Sequence, residues 1–194
     1  MPSPNERSER SAARPAGDGS AVIIAGYALA RQYAAAIDPF YIISLMDPGS
    51  AIEIAAGTNL RDHIRIFIHD IAEAAQPGST DIAPGREHVA RVVDFAQAWD
   101  GSGPVLIHCA AGVSRSAAAG LILLAARHPG REREIAQTMR RRGPWVAPNR
   151  RMVQLADDLL ARGGALLAAR DGMGTPEVYG MPAEILRLPG RFAE

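Results

Sequence analysis

From Ala21 onward, short apolar runs alternate with longer stretches of helical spacing. Ala21-Val22-Ile23-Ile24 has the length and content of a strand, and Tyr27 to Ala36 is Ala-rich with helical periodicity. Phe40 to Leu45 is β-branched and aromatic, and the turn residues Asp47-Pro48-Gly49 close it. A further strand is expected over His63–His69, where Ile64, Phe67 and Ile68 supply the apolar positions. Ala74 to Pro84 reads as a loop, punctuated by Pro77-Gly78 and Pro84-Gly85. A helix follows from about Arg86 to Trp99, with Val89, Val92, Val93, Phe95 and Ala96 forming its stripe. Pro104-Val105-Leu106-Ile107 is a continuous apolar run of the kind found in strands buried on both faces. Ser114 to Arg127 is helical and apolar nearly all round, which predicts a buried helix. Amphipathic helices fit Glu132–Arg142 and Asn149–Arg162, and a short one fits Ala165–Arg170.

Alternating strands and helices, followed by helices alone, argue for an α/β sandwich around a mainly parallel sheet, with Pro104–Ile107 at its centre. Residues 1–20 are polar and rich in Ser, Arg, Pro and Gly, so they read as a disordered tail. The main domain is expected over 21–164 and an extension over 165–194, whose last twenty residues read as loosely attached. At 194 residues, 47% hydrophobic and 22% charged, the chain can bury a core without disulfides or a structural metal. Lys+Arg 21 balance Asp+Glu 21, so no global basic field favours nucleic acid. All the basic residues except histidine are Arg, a usage that points to a GC-rich bacterial genome. No apolar run approaches the ~18–20 residues of a membrane span. The N-terminus lacks the apolar segment of a secretory leader, so the cytoplasm is the expected compartment.

The one cysteine, Cys109, cannot form a disulfide within the chain or a paired-cysteine zinc site. It opens the stretch His108-Cys109-Ala110-Ala111-Gly112-Val113-Ser114-Arg115-Ser116, between the most buried strand and the most buried helix. Gly112 can adopt positive φ in the middle of the turn, and Ala110, Ala111, Val113 and Ser114 are small. Successive backbone N–H groups can therefore converge on one point, reinforced by the dipole of the following helix. Arg115 can fold back and grip two oxygens of a tetrahedral anion. A thiol at the floor of such a positive cup should ionise below its usual range. This arrangement is a device for attacking phosphorus.

The string HCAAGVSRS resembles the H-C-x-x-G-x-x-R-[S/T] signature of the cysteine-dependent protein tyrosine phosphatase superfamily, and its ending is closest to the dual-specificity branch. Val146-Ala147-Pro148-Asn149 followed by Gln154-Leu155 is similar to a segment downstream of the loop in that branch, with Met152 where Phe is usual. The resemblance covers roughly Phe40 to Leu160. It implies a phosphatase-like three-layer sandwich and a phosphocysteine intermediate on Cys109, without cofactor or metal. Phosphorylated protein or a small phosphoester is the implied substrate; nucleic acid is disfavoured. Two other readings of the loop are a pseudophosphatase that binds phosphate without turnover and a rhodanese-type sulfurtransferase.

The resemblance also implies a general-acid Asp on a loop after a strand, a few dozen residues before the Cys. Asp94 and Asp100 belong to a helix and its end, and Asp62 precedes its strand. Asp70 follows the strand over 64–69 and should emerge at the carboxyl edge of the sheet, beside Cys109; Asp81, in the following loop, is its rival. Ser116 is implied to donate to the departing thiolate, and His108 to order the loop. His63, His69, His88 and His128 show no ligand spacing and read as ordinary residues. Arg140-Arg141-Arg142 and Arg150-Arg151 either border the pocket or, as is usual for such runs, form a solvated helix face. The loop interior carries no basic residue before Arg115, which disfavours a phosphoinositide substrate.

Overall fold

The computed structural model describes residues 20–55, 57, 59–73, 78–177 and 184–192. The tail expected over residues 1–20 lies outside them except for Ser20, as does part of the predicted 74–84 loop. Eleven elements follow in the order β1 (Val22–Gly26), α1 (Tyr27–Ile37), β2 (Tyr41–Met46), β3 (Asp62–Phe67), α2 (Arg86–Ala98), β4 (Val105–Cys109), α3 (Arg115–Arg127), α4 (Glu132–Arg142), α5 (Arg150–Leu159), α6 (Ala165–Asp171) and β5 (Leu186–Leu188).

The strands form one sheet in the order β3-β2-β4-β1-β5. β2 pairs in parallel with β3 and β4, and β1 with β4, so the apolar run around Val105 is the central strand. Each pleat divides its side chains between two faces. Ile23, Ala25, Ile42 and Leu106 pack with Ala30 and Ala34 of α1 on one face. Val22, Ile24, Ile43, Leu45, Val105 and Ile107 face the larger core built with α2 to α6. The result is a three-layer arrangement of one helix, sheet and several helices.

At the centre of the thicker side, α3 is buried from Arg115 through Ala125. Each fully buried Leu or Ile on it contributes about 1.5–3 kcal/mol of apolar transfer. It lies tight on β1: a Cβ at Gly120 would come within 2.6 Å of Ile24 Cδ1.

Two features differ from the sequence reading. β3 ends at Phe67, though Ile68 N–H still donates to Met46 O at 2.9 Å. The C-terminal stretch is not loosely attached where it is described. β5 adds an antiparallel strand to the β1 edge, with Leu186 and Leu188 buried, and His128 Nε2 lies 3.0 Å from Gly190 O. Three residues are too few to display a period, so pairing with an open sheet edge, rather than pattern, makes this strand.

Candidate active site

All four parallel strands deliver their carboxyl ends to one rim of the sheet, and Asp47, Asp70 and Cys109 lie at those ends. β4 ends at Cys109, whose side chain is 1% exposed. The chain then turns through Ala110–Ser114 into α3. Gly112, at φ 77°, is the residue that permits the turn. It is required sterically as well, because a Cβ there would lie 2.4 Å from Gly26 N. The turn therefore rests on the β1–α1 junction, where Tyr27 N–H donates to Ala110 O at 3.1 Å.

The sulfur of Cys109 receives the Gly112 N–H at 3.2 Å and lies 3.2 Å from Ser116 Oγ in the first turn of α3. Both contacts come from the turn and the helix that follow the cysteine. Arg115 is 4% exposed. Its NH1 donates to Asp47 Oδ1 at 2.6 Å and to Ile68 O at 2.7 Å, while Nε lies 3.9 Å from Asp70 Oδ2. That Nε is buried without a hydrogen-bond partner, leaving one edge of the fork able to take an anion's oxygen.

Asp70 is held at the loop. Its Oδ1 accepts from Ser114 Oγ at 2.7 Å and from Asn149 Nδ2 at 2.8 Å. Asn149 also caps α5, its Oδ1 accepting Met152 N–H at 3.1 Å, and donates its own N–H to Ser114 O at 3.3 Å. Together with Ala147 N–H, which donates to Val113 O at 2.9 Å, the Ala147–Asn149 segment buttresses the back of the loop. The rival acid has other partners. Asp81 Oδ2 accepts from Ser79 Oγ at 2.9 Å, and its other oxygen lies 3.8 Å from His69 Nδ1. Asp62, Asp94 and Asp100 are exposed.

His108 turns its ring to the opposite face of the sheet, against Tyr27 at a centroid distance of 5.6 Å. Its Nε2 lies 2.5 Å from Ser44 Oγ, which in turn lies 2.7 Å from His63 Nε2. Burial, with the nearby His63, lowers the His108 pKa to about 4, although the Cys109 backbone favours its protonated form. Burial and the Arg65 charge lower His63 to about 4, against the opposing influence of Asp62.

The arginine runs serve the frame. Arg140 donates to the carbonyls of Pro144, Met173 and Gly174, and Arg142 to that of Arg187. Arg151 Nε donates to Pro84 O at 2.6 Å, and Arg150 pairs with Asp171. Sequence reasoning missed Asp47 and the partnership of Ser44 with His63. Asp47 follows directly on β2, so the strand-end rule that singles out Asp70 also covers it; the turn Asp47-Pro48-Gly49 gave the residue a sufficient local explanation.

No protein-family profile matches the chain, and no curated protein matches it. Solved structures do. The human tyrosine phosphatase-like serine/threonine/tyrosine-interacting protein is 20% identical, with a TM-score of 0.55 over 73% of this chain and 92% of that one. DUSP15 is 16% identical, with a TM-score of 0.56 over 83% of this chain and 94% of its own. Human DUSP28 is 15% identical, with a TM-score of 0.54 over 74% of this chain and 94% of its own. The chain thus has the fold of dual-specificity-type phosphatases, a mixed sheet of mostly parallel strands flanked by helices.

Proposed function

We propose that this chain is a phosphomonoester hydrolase of the dual-specificity protein phosphatase type, working through a phosphocysteine on Cys109. One observation carries the reading. On this fold, a buried cysteine sulfur contacts a loop N–H and the first turn of a buried helix, and the arginine that opens that helix keeps a buried N–H without a hydrogen bond. Phosphorylated protein or a small phosphoester is the substrate class.

The steps follow from the groups present. The Cys109 thiolate attacks phosphorus in line with the leaving oxygen, forming a S–P bond as the P–O bond breaks. Arg115 and the loop N–H groups from Ala110 to Arg115 bind the equatorial oxygens as charge builds on them. Asp70 gives its proton to the leaving oxygen. In the second step Asp70 takes a proton from water as that water attacks phosphorus. The S–P bond breaks, and Ser116 donates a hydrogen bond to the departing thiolate. Phosphate leaves, and Asp70 is again protonated.

The test is turnover of an aryl phosphate, a phosphotyrosine peptide and a phosphoserine peptide by the native chain and by Cys109→Ser. The variant should lose turnover while still binding vanadate or phosphate. Full activity in Cys109→Ser would discard the reading.

A further inference from the structure

The sheet carries a second polar device that the steps above leave unused. We propose that Ser44 and His63 are positioning residues for the nucleophile loop, acting through His108 as one hydrogen-bonded chain across three adjacent strands. The inference rests on the assignment of Cys109 as nucleophile.

The register creates the chain. Ser44 of β2 pairs with His108 of β4, so their side chains stand on the same face, the one that α1 covers. Ser44 is in turn paired with Arg65 of β3, and His63, two residues earlier, shares that face. Ser44 Oγ thus lies between the two ring nitrogens, 2.5 Å from His108 Nε2 and 2.7 Å from His63 Nε2.

A proton count gives the chain its function. A serine hydroxyl has one hydrogen, so it can donate to only one of the two rings. At least one ring must therefore donate its own Nε2–H to Ser44. An accepting Nε2 on one histidine therefore requires a donating Nε2–H on the other. The Ser44 contact, together with the Tyr27 ring and the Cys109 backbone, holds this ring's rotation.

The ring is coupled to the loop twice. His108 is covalently adjacent to Cys109, and its ring packs on Tyr27, whose N–H holds Ala110 O at 3.1 Å. A His108 ring freed to rotate loosens both supports of the loop's first turn. Orientation, not charge, is the contribution. Around the chain stand Tyr27, Asp62 and Arg65, and burial keeps both imidazoles neutral at neutral pH.

The chain is tested with Ser44→Ala, His63→Phe and His63→Gln. Three readouts are taken: kcat and KM for an aryl phosphate, the pH dependence of Cys109 alkylation by iodoacetamide, and the ring nitrogen shifts of His108. Loss of one buried hydrogen bond predicts a fall in kcat of about 3- to 10-fold in Ser44→Ala and His63→Phe, with KM held. The alkylation midpoint should move up in pH, and the His108 ring shifts should report a changed tautomer. Gln carries an amide donor and acceptor at the reach of Nε2, so His63→Gln should recover most of each effect. Unchanged kcat, alkylation and ring shifts in folded His63→Phe would overturn the proposal. So would His63→Gln behaving like His63→Phe. Should Ser44→Ala fail to fold, the His63 pair at the half-buried end of the chain carries the test alone. A fully active Cys109→Ser would instead remove the phosphocysteine reading, an outcome none of these variants can mimic.

Discussion

Two carboxylates stand at the rim beside Arg115, and in the proposed mechanism their partners suit them to different work. Asp47 Oδ1 takes the Arg115 guanidinium at 2.6 Å and so orients the fork. Asp70 presents Oδ1 to Ser114 and Asn149, with its side chain 38% exposed, which leaves it reachable by a substrate's leaving group. The expected outcome is that Asp70→Asn lowers kcat by about 10²–10⁴ on an alkyl phosphate and removes the basic limb of the pH profile. With a leaving group of low pKa, which needs no proton, the loss should shrink. Asp47→Asn should not show that leaving-group dependence, because its role is to hold a cation. Rates on a series of phosphates of graded leaving-group pKa separate the two. If Asp81→Asn gives the pattern expected of Asp70→Asn, the acid has been placed on the wrong residue.

Helix α5 does more for the site than its distance along the chain suggests. Its N-cap, Asn149, satisfies an orphan N–H of the helix through Oδ1, while its Nδ2 reaches Asp70 and Ile71 O. One residue thus ties three segments together: the start of α5, the stretch after β3 and, through its backbone, the entry to α3. Asn149→Ala should cost about 0.5–2 kcal/mol for the lost cap. It should also loosen Asp70 and reduce kcat by more than the stability loss explains. Asn149→Asp separates these effects, since it keeps the cap acceptor but loses the donor to Asp70. Urea midpoints and kcat on the three proteins check this; equal kcat in Asn149→Asp and the native chain would reject the link to Asp70.

Across the whole molecule, the two neutral histidines set a pH dependence of stability. His63 and His108 are each lowered from 6.5 to about 4, so between those values the unfolded chain binds more protons than the folded one. Stability is therefore fully present above about pH 6.5 and falls as the pH drops toward 4. A buried histidine contributes a slope of up to about 1.4 kcal/mol per pH unit in that window. His63, half-buried, is screened by solvent and contributes less. Urea unfolding between pH 4.5 and 7.5 should show the fall, and a His63→Gln, His108→Asn double variant should show a flatter curve. Equal slopes in the two proteins would mean that neither ring is held neutral by the fold.

Much of this arrangement was legible in the chain. Continuous apolar and β-branched runs located β2 and β4, and helical spacing located α2 to α5, within a few residues, because each buries an unbroken run or stripe of apolar side chains. The contiguous turn from His108 to Ser116 was legible too, since its strand end, its positive-φ glycine and the start of its helix are neighbours in sequence. What the chain could not reveal were partnerships made across the sheet. Ser44, His63 and Asp47 each had an adequate local explanation as strand or turn residues. Their association with His108 and Arg115 follows from strand order and register, which no local pattern encodes. β5 belongs to the same class: its three residues become a strand because β1 offers an unpaired edge. The sequence determined the elements and the candidate residues of the loop, because both depend on residues close along the chain. Only the tertiary structure decided which distant polar groups answer that loop, because parallel pairing brings together residues dozens of positions apart.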